Sequence, residues 1–365
     1  MTQPIGGEPP ISHRESDGQD YEIELIPGLE AFVENELRSI AGSAVLLGRP
    51  REGRISVQFS GDPACLCALR SAVAVHAVET FEVARPRGLL GHAHFTRLVA
   101  RAKAVTEARS PEAFQTIRLS AAGGESAVFA RFRSELGEAL GLKSIEQGED
   151  ADLVVSVRRA PAPVEGWQVL TRLTPRPLSA RKWRICNQPG ALNATVANVM
   201  VRIAEPSPIE RFLNLACGSG TLLVERLELG AAALAIGCDI SAQALACAEA
   251  NLQESGCRHQ ARLLRADAGQ LPLGTGAWDT IVADLPYGML DAPSEARSVY
   301  GGLVAEAARV AAPSARFVAI TARKQWLEAA LQQCSKCWET LRVVPIRMPY
   351  RSSYFSAYIF ALRRL

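Results

Sequence analysis

The sequence contains no run of about 18 apolar residues, the length a helix needs to cross a membrane, so no membrane role is expected. Its longest apolar stretches, such as Ala231–Cys238, have the length of a core strand. The first twenty residues also lack an apolar segment, so no secretory signal peptide is expected. Rich in Pro, Gly and charge, they read as a disordered tail over residues 1–20. Charge of one sign is not in excess, since 40 basic and 38 acidic residues leave a net +2. Histidine is scarce, at five residues, and none carries a local signature of a Ser-His-Asp site; His92 and His94 stand beside no acidic cluster. The nine cysteines are scattered, odd in number and without a signal peptide, so reduced thiols in a cytoplasmic protein are expected. Cys334 and Cys337 have metal-like spacing but no second Cys or His pair, and Cys65 and Cys67 fall on a helix, so no metal is expected.

What is present is a globular balance, 48% hydrophobic and 21% charged, in a 365-residue chain long enough for two or three domains at about 150 residues each. The charge is uneven. Residues 1–180 carry 20 basic and 23 acidic side chains, and residues 181–365 carry 20 and 15. Between Arg158 and Arg184 lie Arg158, Arg159, Arg172, Arg176, Arg181, Lys182 and Arg184 against one acid, Glu165. The last 26 residues hold five arginines and no acid, interleaved with Tyr350, Tyr354, Phe355, Tyr358 and Phe360. Such stretches suit a polyanion, because each neutralised phosphate releases counterions. A solvated arginine-rich surface is the plainer reading, since 35 of the 40 basic residues are arginine.

Hydrophobic periodicity divides the chain. Tyr21–Ile26 alternates as a strand, Pro27-Gly28 is a turn, and Leu29–Leu37 has helical spacing. Arg54–Ser60 is a second strand and Pro63–Val75 a second helix, giving a small α+β unit of the split βαβ kind over residues 21–82. Over 83–178, helices at His94–Ala108 and Ala127–Leu140 alternate with strands at Phe114–Ala121, Asp152–Ala160 and Trp167–Thr174. Residues 179–204 form a linker with a helix, Ala191–Ile203, leading into a last domain over 205–365. There FLNLAC, LAIGCD, ARLLRAD, DTIVAD and RFVAIT are short strands separated by helical patterns, as in a doubly wound parallel α/β sheet. Two final strands follow each other without a helix and would pair as an antiparallel edge hairpin.

The chemistry gathers at the ends of these strands. Asn214–Glu225 is a strand, a loop Cys217-Gly218-Ser219-Gly220 and a helix; the glycines let backbone pass close to a ligand, and the helix start offers free N–H groups. Leu223 stands where a dinucleotide fingerprint needs its third glycine, and no Gly-Lys-Ser/Thr follows as a P-loop requires. Asp239, Asp267 and Asp284 close successive strands, where ligands of open α/β sheets bind. Asp239 suits the two hydroxyls of a ribose and Asp267 an adenine amino group; helix capping is the other use of either acid alone. With the glycine loop, the set describes a pocket for S-adenosylmethionine (SAM). Asp284-Leu285-Pro286-Tyr287 then sets a carboxylate, a stiff turn and an aromatic ring beside that pocket. The carboxylate and the Leu285 carbonyl can accept both hydrogens of an exocyclic amino group, aim its lone pair and stabilise the charge developing on nitrogen. Pro286 fixes the turn, and Tyr287 can stack on a flipped-out base.

The stretch N-L-A-C-G-S-G-T-L-L-V-E resembles motif I of class I SAM-dependent methyltransferases. D-L-P-Y-G resembles the (D/N)-x-P-(Y/F) motif of amino-group methyltransferases, above all the D-L-P-F-G form of the THUMP-domain RNA enzymes, and P-L-S-A-R-K-W-R is similar to that family's linker. The resemblance implies a Rossmann-like catalytic domain preceded by a ferredoxin-like domain over 21–82 and a THUMP module over 83–178. It also implies a monomer that methylates guanine N2 in the acceptor stem of tRNA by direct transfer, without metal or covalent intermediate. Carried over by motif, Ala216, Cys217, Gly218, Ser219, Gly220 and Thr221 would hold the methionine part of SAM. Asp239 with Ile240 would hold the ribose, Asp267 with Ala268 the adenine, and Asn193 and Thr195 would lie over the cofactor. Asp284 would be catalytic and also touch SAM, with Leu285, Pro286 and Tyr287 as the base clamp. A THUMP grip on RNA would make Arg158, Arg159, Arg181, Lys182 and Arg184 contacts on the RNA path. Two positions depart from the pattern: Asn214, where motif I opens with Asp, and Met289-Leu290, where basic residues usually follow the glycine. Two further readings stay open, guanine-N2 methylation of ribosomal RNA and a catalytically silent RNA-binding protein that keeps the fold.

Overall fold

The computed structural model describes residues 18–108, 113–146, 149–286, 293–350 and 353–365, and of residues 293–298 the backbone alone. In the N-terminal half the first unit comprises β1 (Gln19–Glu24), α1 (Glu30–Ile40), β2 (Val45–Leu46), β3 (Arg54–Phe59), α2 (Pro63–Leu66) and β4 (Ala74–Phe81). The second comprises α3 (His92–Glu107), β5 (Thr116–Ala121), α4 (Ala127–Leu140), β6 (Lys143–Ser144), β7 (Leu153–Arg159) and β8 (Trp167–Arg172). One sheet runs through both, in the order β2-β3-β1-β4-β8-β7-β5-β6. Its junction is the antiparallel pairing of β4 with β8, from His76↔Arg172 to Phe81↔Trp167.

Two expectations are corrected here. β1 begins at Gln19, so the end of the tail expected over 1–20 belongs to the sheet; residues 1–17 lie outside the described residues. The helix expected over Pro63–Val75 stops at Leu66. Beyond it the Glu36 carboxylate takes the backbone N–H groups of Arg70 and Ser71, at 3.1 and 2.8 Å, and the β-branched Val75 and Val78 enter β4.

The C-terminal half follows α5 (Ala194–Ile203). It contains β9 (Arg211–Leu215), α6 (Thr221–Leu227), β10 (Leu234–Asp239), α7 (Ala242–Glu254), β11 (Ala261–Arg265) and β12 (Trp278–Asp284). Then come α8 (Pro293–Val310), β13 (Ala311–Thr321), α9 (Lys324–Gln333), β14 (Trp338–Tyr350) and β15 (Ser353–Arg364). The sheet order is β11-β10-β9-β12-β13-β15-β14. β11, β10, β9, β12 and β13 are parallel, while β15 and β14 pair antiparallel, which is the doubly wound parallel sheet with an edge hairpin that the periodicity predicts. Phe212, Leu213, Ile281 and Val282 are wholly buried, as a central parallel strand covered on both faces requires. Strand order reverses between β9 and β12, so the switch-point crevice lies above their ends.

The halves meet closely. Arg347 N–H donates to the Pro27 carbonyl at 3.0 Å. A Cβ at Gly28 (φ +99°) would stand 2.2 Å from the Pro345 carbonyl oxygen, so this contact requires glycine. Among the described residues no helix is long and apolar enough to cross a membrane, and no group of three or more His, Cys, Asp or Glu could hold a metal.

The reduced-thiol expectation is also corrected. Cys186 of the linker and Cys247 of α7 form a disulfide with Cα atoms 5.3 Å apart; the other seven cysteines remain thiols. The partners are 61 residues apart, so no local spacing marks them. Closing a loop of that length restricts the unfolded chain, and Cys247→Ser is expected to cost about 2–4 kcal/mol in equilibrium denaturation of the oxidised protein. Equal midpoints for variant and wild type would show that the bond carries no stability.

Candidate active site

At the end of β9 the chain turns through Ala216 (φ +46°), Gly218 (φ +54°) and Gly220 (φ +79°) into α6. A Cβ at Gly218 would meet no protein atom within 4 Å, whereas one at Gly220 would press on Ala248 of α7 at 3.0 Å. The first glycine therefore faces open space, and the second lets α7 pack. Asp284, at the end of β12, lines one cleft of about 110 Å³ together with Ala216–Ser219, Thr221 and the strap Gln188–Leu192. The residues fit a ligand whose polar end lies against bare backbone at a helix start.

Asp239, at the end of β10, accepts the N–H groups of Gly218 and Ser241, both at 2.9 Å. Each oxygen of this half-exposed carboxylate keeps a further lone pair for a diol. Ile240 beside it is 65% exposed, an apolar plate for a planar base. Asp267 is exposed and accepts Gly269 N–H at 2.8 Å, and Ala268 next to it is half-buried. Asn193 caps α5: its Oδ1 accepts the Thr195 N–H at 2.9 Å and the Thr195 hydroxyl at 2.6 Å. Thr195 is wholly buried, and Asn193 borders a neighbouring groove beside Met348 and Pro349.

The turn after Asp284 is fastened twice. Leu285 N–H donates to the Ile320 carbonyl at 3.0 Å, and the Tyr300 hydroxyl of α8 donates to the Pro286 carbonyl at 2.8 Å. Burial pushes the Tyr300 phenol up to about 12, so it remains a donor at any working pH. Tyr300 was not legible in the sequence, because one tyrosine on an amphipathic helix gives no signal. Tyr287, the expected stacking ring, lies outside the described residues, as do Gly288, Met289 and Leu290.

Asn214 is wholly buried and donates through Nδ2 to the Leu215 carbonyl at 3.2 Å and the Val282 carbonyl at 3.4 Å, stitching β9 to β12. Its Oδ1 has no partner among the described residues. A carboxylate here could not donate, and its charge would be costly to bury. Burial also pushes the Cys217 thiol well up, with the Asp239 charge adding to it, and raises Cys238 to about 11, so neither is a thiolate nucleophile at neutral pH.

The arginines expected on the RNA path divide. Arg159 is exposed over the Trp167 ring, 5.1 Å from its centroid, and Lys182 is exposed. Arg158 lies on the open sheet face, bonded to Glu22 at 2.8 Å and to Gln168 at 2.9 Å. Arg181 and Arg184 both bond within the protein. Arg181 is buried against Glu225 at 2.8 Å, and Arg184 donates to the Leu192 carbonyl and the Thr221 hydroxyl, both at 2.8 Å. Arg181 also donates to the Leu178 and Arg70 carbonyls, while Arg184 borders the groove beside Met348 and Pro349. A groove of about 580 Å³ on the N-terminal sheet instead gathers Arg49, Arg51 and Arg54 with Arg158 and Arg159. Its sequence signal was three arginines within six residues.

Residues 181–350 match the family model described as UPF0020, RMKL-like, methyltransferase domain. That segment is similar to the methyltransferase domain of this family. Over 112 residues the chain is 34% identical to the U6 snRNA (guanine-N(2))-methyltransferase THUMPD2 of Mus musculus, covering 31% of this chain and 21% of that one. It is 31% identical over 162 residues to the tRNA (guanine(6)-N2)-methyltransferase of Thermus thermophilus, covering 44% and 48%. With the tRNA (guanine(6)-N2)-methyltransferase of Methanocaldococcus jannaschii it shares 25% identity over 215 residues, 56% and 55% of the two chains. The chain thus spans between about a fifth and about half of the curated relatives it matches. The crystal structure of TrmN from Thermus thermophilus has the same fold: TM-score 0.70 at 23% identity, over 95% of this chain and 100% of that one. SMU.472, crystallised with SAH, gives TM-score 0.64 at 15% identity over 95% and 98%.

Proposed function

We propose that the protein transfers a methyl group from SAM to the exocyclic N2 of a guanine in tRNA. The observation that carries this reading is Asp284 facing the glycine loop across one cleft at the switch point of a methyltransferase sheet. When bound, SAM supplies an electrophilic methyl group. Ala216–Thr221 would hold its amino-acid end, Asp239 and Ile240 the ribose, and Asp267 and Ala268 the adenine, with Asn193 and Thr195 fixing the start of α5 alongside. Asp284 and the Leu285 carbonyl would accept hydrogen bonds from the two amino hydrogens of the base and stabilise the positive charge that grows on nitrogen, Asp284 being placed to take the proton that N2 then loses. Burial holds the Cys217 and Cys238 thiols protonated beside the cleft, which supports direct transfer rather than attack by either sulfur. A flipped-out guanine would rest against Pro286 and Tyr287.

The RNA class rests on the relatives, whose names specify guanine N2 in tRNA or in U6 snRNA. The tRNA enzymes match the larger share of this chain, and we place the target guanine in the acceptor stem of tRNA. We assign the grip on RNA to the N-terminal half, a ferredoxin-like unit over 21–82 and a THUMP unit over 83–178, in a cytoplasmic monomer. Cys247 is only 3% exposed, which shields the disulfide from exchange with a thiol pool.

The test is methyl-labelled SAM with unmodified tRNA, U6 snRNA and ribosomal RNA, followed by nucleoside analysis. N2-methylguanosine in tRNA alone is expected. Label in another RNA would reassign the substrate; SAM binding without transfer to any of the three would overturn the substrate class. Absence of SAM binding would leave the silent RNA-binding protein.

A further inference from the structure

Glu225 stands one turn into α6, the helix that begins at the glycine loop, and is wholly buried. Three elements outside the catalytic sheet converge on its carboxylate. Arg181 of the linker donates Nε at 2.8 Å, Asn198 of α5 donates Nδ2 at 3.0 Å, and Arg70, from the loop after α2, donates Nε at 3.3 Å. Arg70 also donates Nη1 to Glu228 at 2.8 Å. A second buried carboxylate, Glu36 of α1, takes the backbone N–H of Arg70 and, at 2.7 Å, Nη2 of Arg202; Arg202 in turn donates Nε to Asn198 Oδ1 at 2.8 Å. The chain of bonds is therefore unbroken from α1, in the first unit, to α6 beneath the donor cleft. On α6 itself the spacing matches: Arg181 and Arg184, three residues apart, hold Glu225 and Thr221, four residues apart and one helical turn.

Cohesion alone does not account for this arrangement. Well-packed apolar side chains would join two units at least as firmly as buried ion pairs, whose desolvation offsets much of their attraction. What a set of directional bonds adds is one fixed register between the parts it joins. We propose that Arg70 and Glu225 are positioning residues that hold the glycine-loop helix, and with it the cleft bounded by Asp284, in register with the N-terminal half. This inference rests on the proposed transfer to RNA. An RNA seated on the N-terminal sheet meets Asp284 only while that register is kept.

Arg70→Ala tests it, because Arg70 does not line the donor cleft and its loss leaves Arg181–Glu225 and Arg184–Thr221 in place. Single-turnover transfer at saturating RNA and SAM is expected to fall by about tenfold or more, since misplacement by about 1 Å costs up to about a hundredfold. The dissociation constants for SAM and for RNA should each move less than about twofold, as no contact to either is removed. Arg70→Lys, which keeps the charge beside Glu228, should recover part of the rate. Melting is measured alongside. A lower melting temperature with an unchanged rate well below it would show that the network only holds the fold, and would overturn the proposal. If the wild type transfers and Arg70→Ala transfers equally, the positioning role fails alone; if the wild type transfers nothing, it falls together with the methyltransferase reading.

Discussion

Asp284→Ala is expected to lower single-turnover methyl transfer by about a thousandfold or more, the upper range for removing one preorganised polar group from a reacting centre. The amino nitrogen of guanine is a poor nucleophile because its lone pair is delocalised into the ring. The carboxylate stands at the end of β12, on a turn fastened by the bonds from Leu285 to Ile320 and from Tyr300 to Pro286. Alanine leaves those two bonds in place, since neither uses the Asp284 side chain, and removes both the hydrogen-bond acceptor and the negative charge. Asp284→Asn keeps an acceptor without the charge and should fall between the two. SAM binding should weaken far less than transfer, because the glycine loop, Asp239 and Asp267 are untouched. A variant that transfers at near wild-type rate would remove Asp284 from the amino-group clamp, whatever its effect on cofactor affinity.

Much of the catalytic half was legible because its signals are local. A short apolar strand, a glycine turn and the acids after β10, β11 and β12 are short patterns, and β9, β10, β12 and the β14–β15 hairpin all fall where periodicity puts them. Helix α4 matches to the residue for the same reason, an uninterrupted apolar stripe closed by Gly141. The failures are non-local. The helix expected through Val75 is cut short by a carboxylate 34 residues upstream, and strand β4 is decided by pairing with β1 and β8 rather than by its own composition. The inward turn of Arg181 and Arg184 could not be read either, since an arginine that meets Glu225 and one that meets a phosphate look alike in sequence. The same holds for Cys186 and Cys247, which only the approach of the linker to α7 brings together.

Glu210→Ala is expected to destabilise the protein by about 3–5 kcal/mol, the range for breaking a buried pair by removing one partner. Glu210 is 4% exposed, and the Arg226 side chain it meets is 2% exposed. One carboxylate oxygen takes Nε of Arg226 and the other the Thr280 hydroxyl, so α6 is tied to the starts of β9 and β12. Arg226 also donates to the carbonyls of Gly230, Ser207 and Ala231, at 2.7, 2.8 and 2.9 Å. Without Glu210 those three bonds remain, but the guanidinium charge is left in the core with no counter-charge and Thr280 loses its acceptor. Replacing both partners by methionine returns both desolvation costs and should therefore be less damaging than Glu210→Ala alone. Urea denaturation of the two variants measures this. A Glu210→Ala midpoint within about 1 kcal/mol of wild type would mean that the three carbonyls suffice to hold Arg226. Because this cluster sits at the opposite end of the strands from Asp284, transfer per folded molecule should stay at the wild-type level, which separates the support of α6 from the chemistry at its N-terminus.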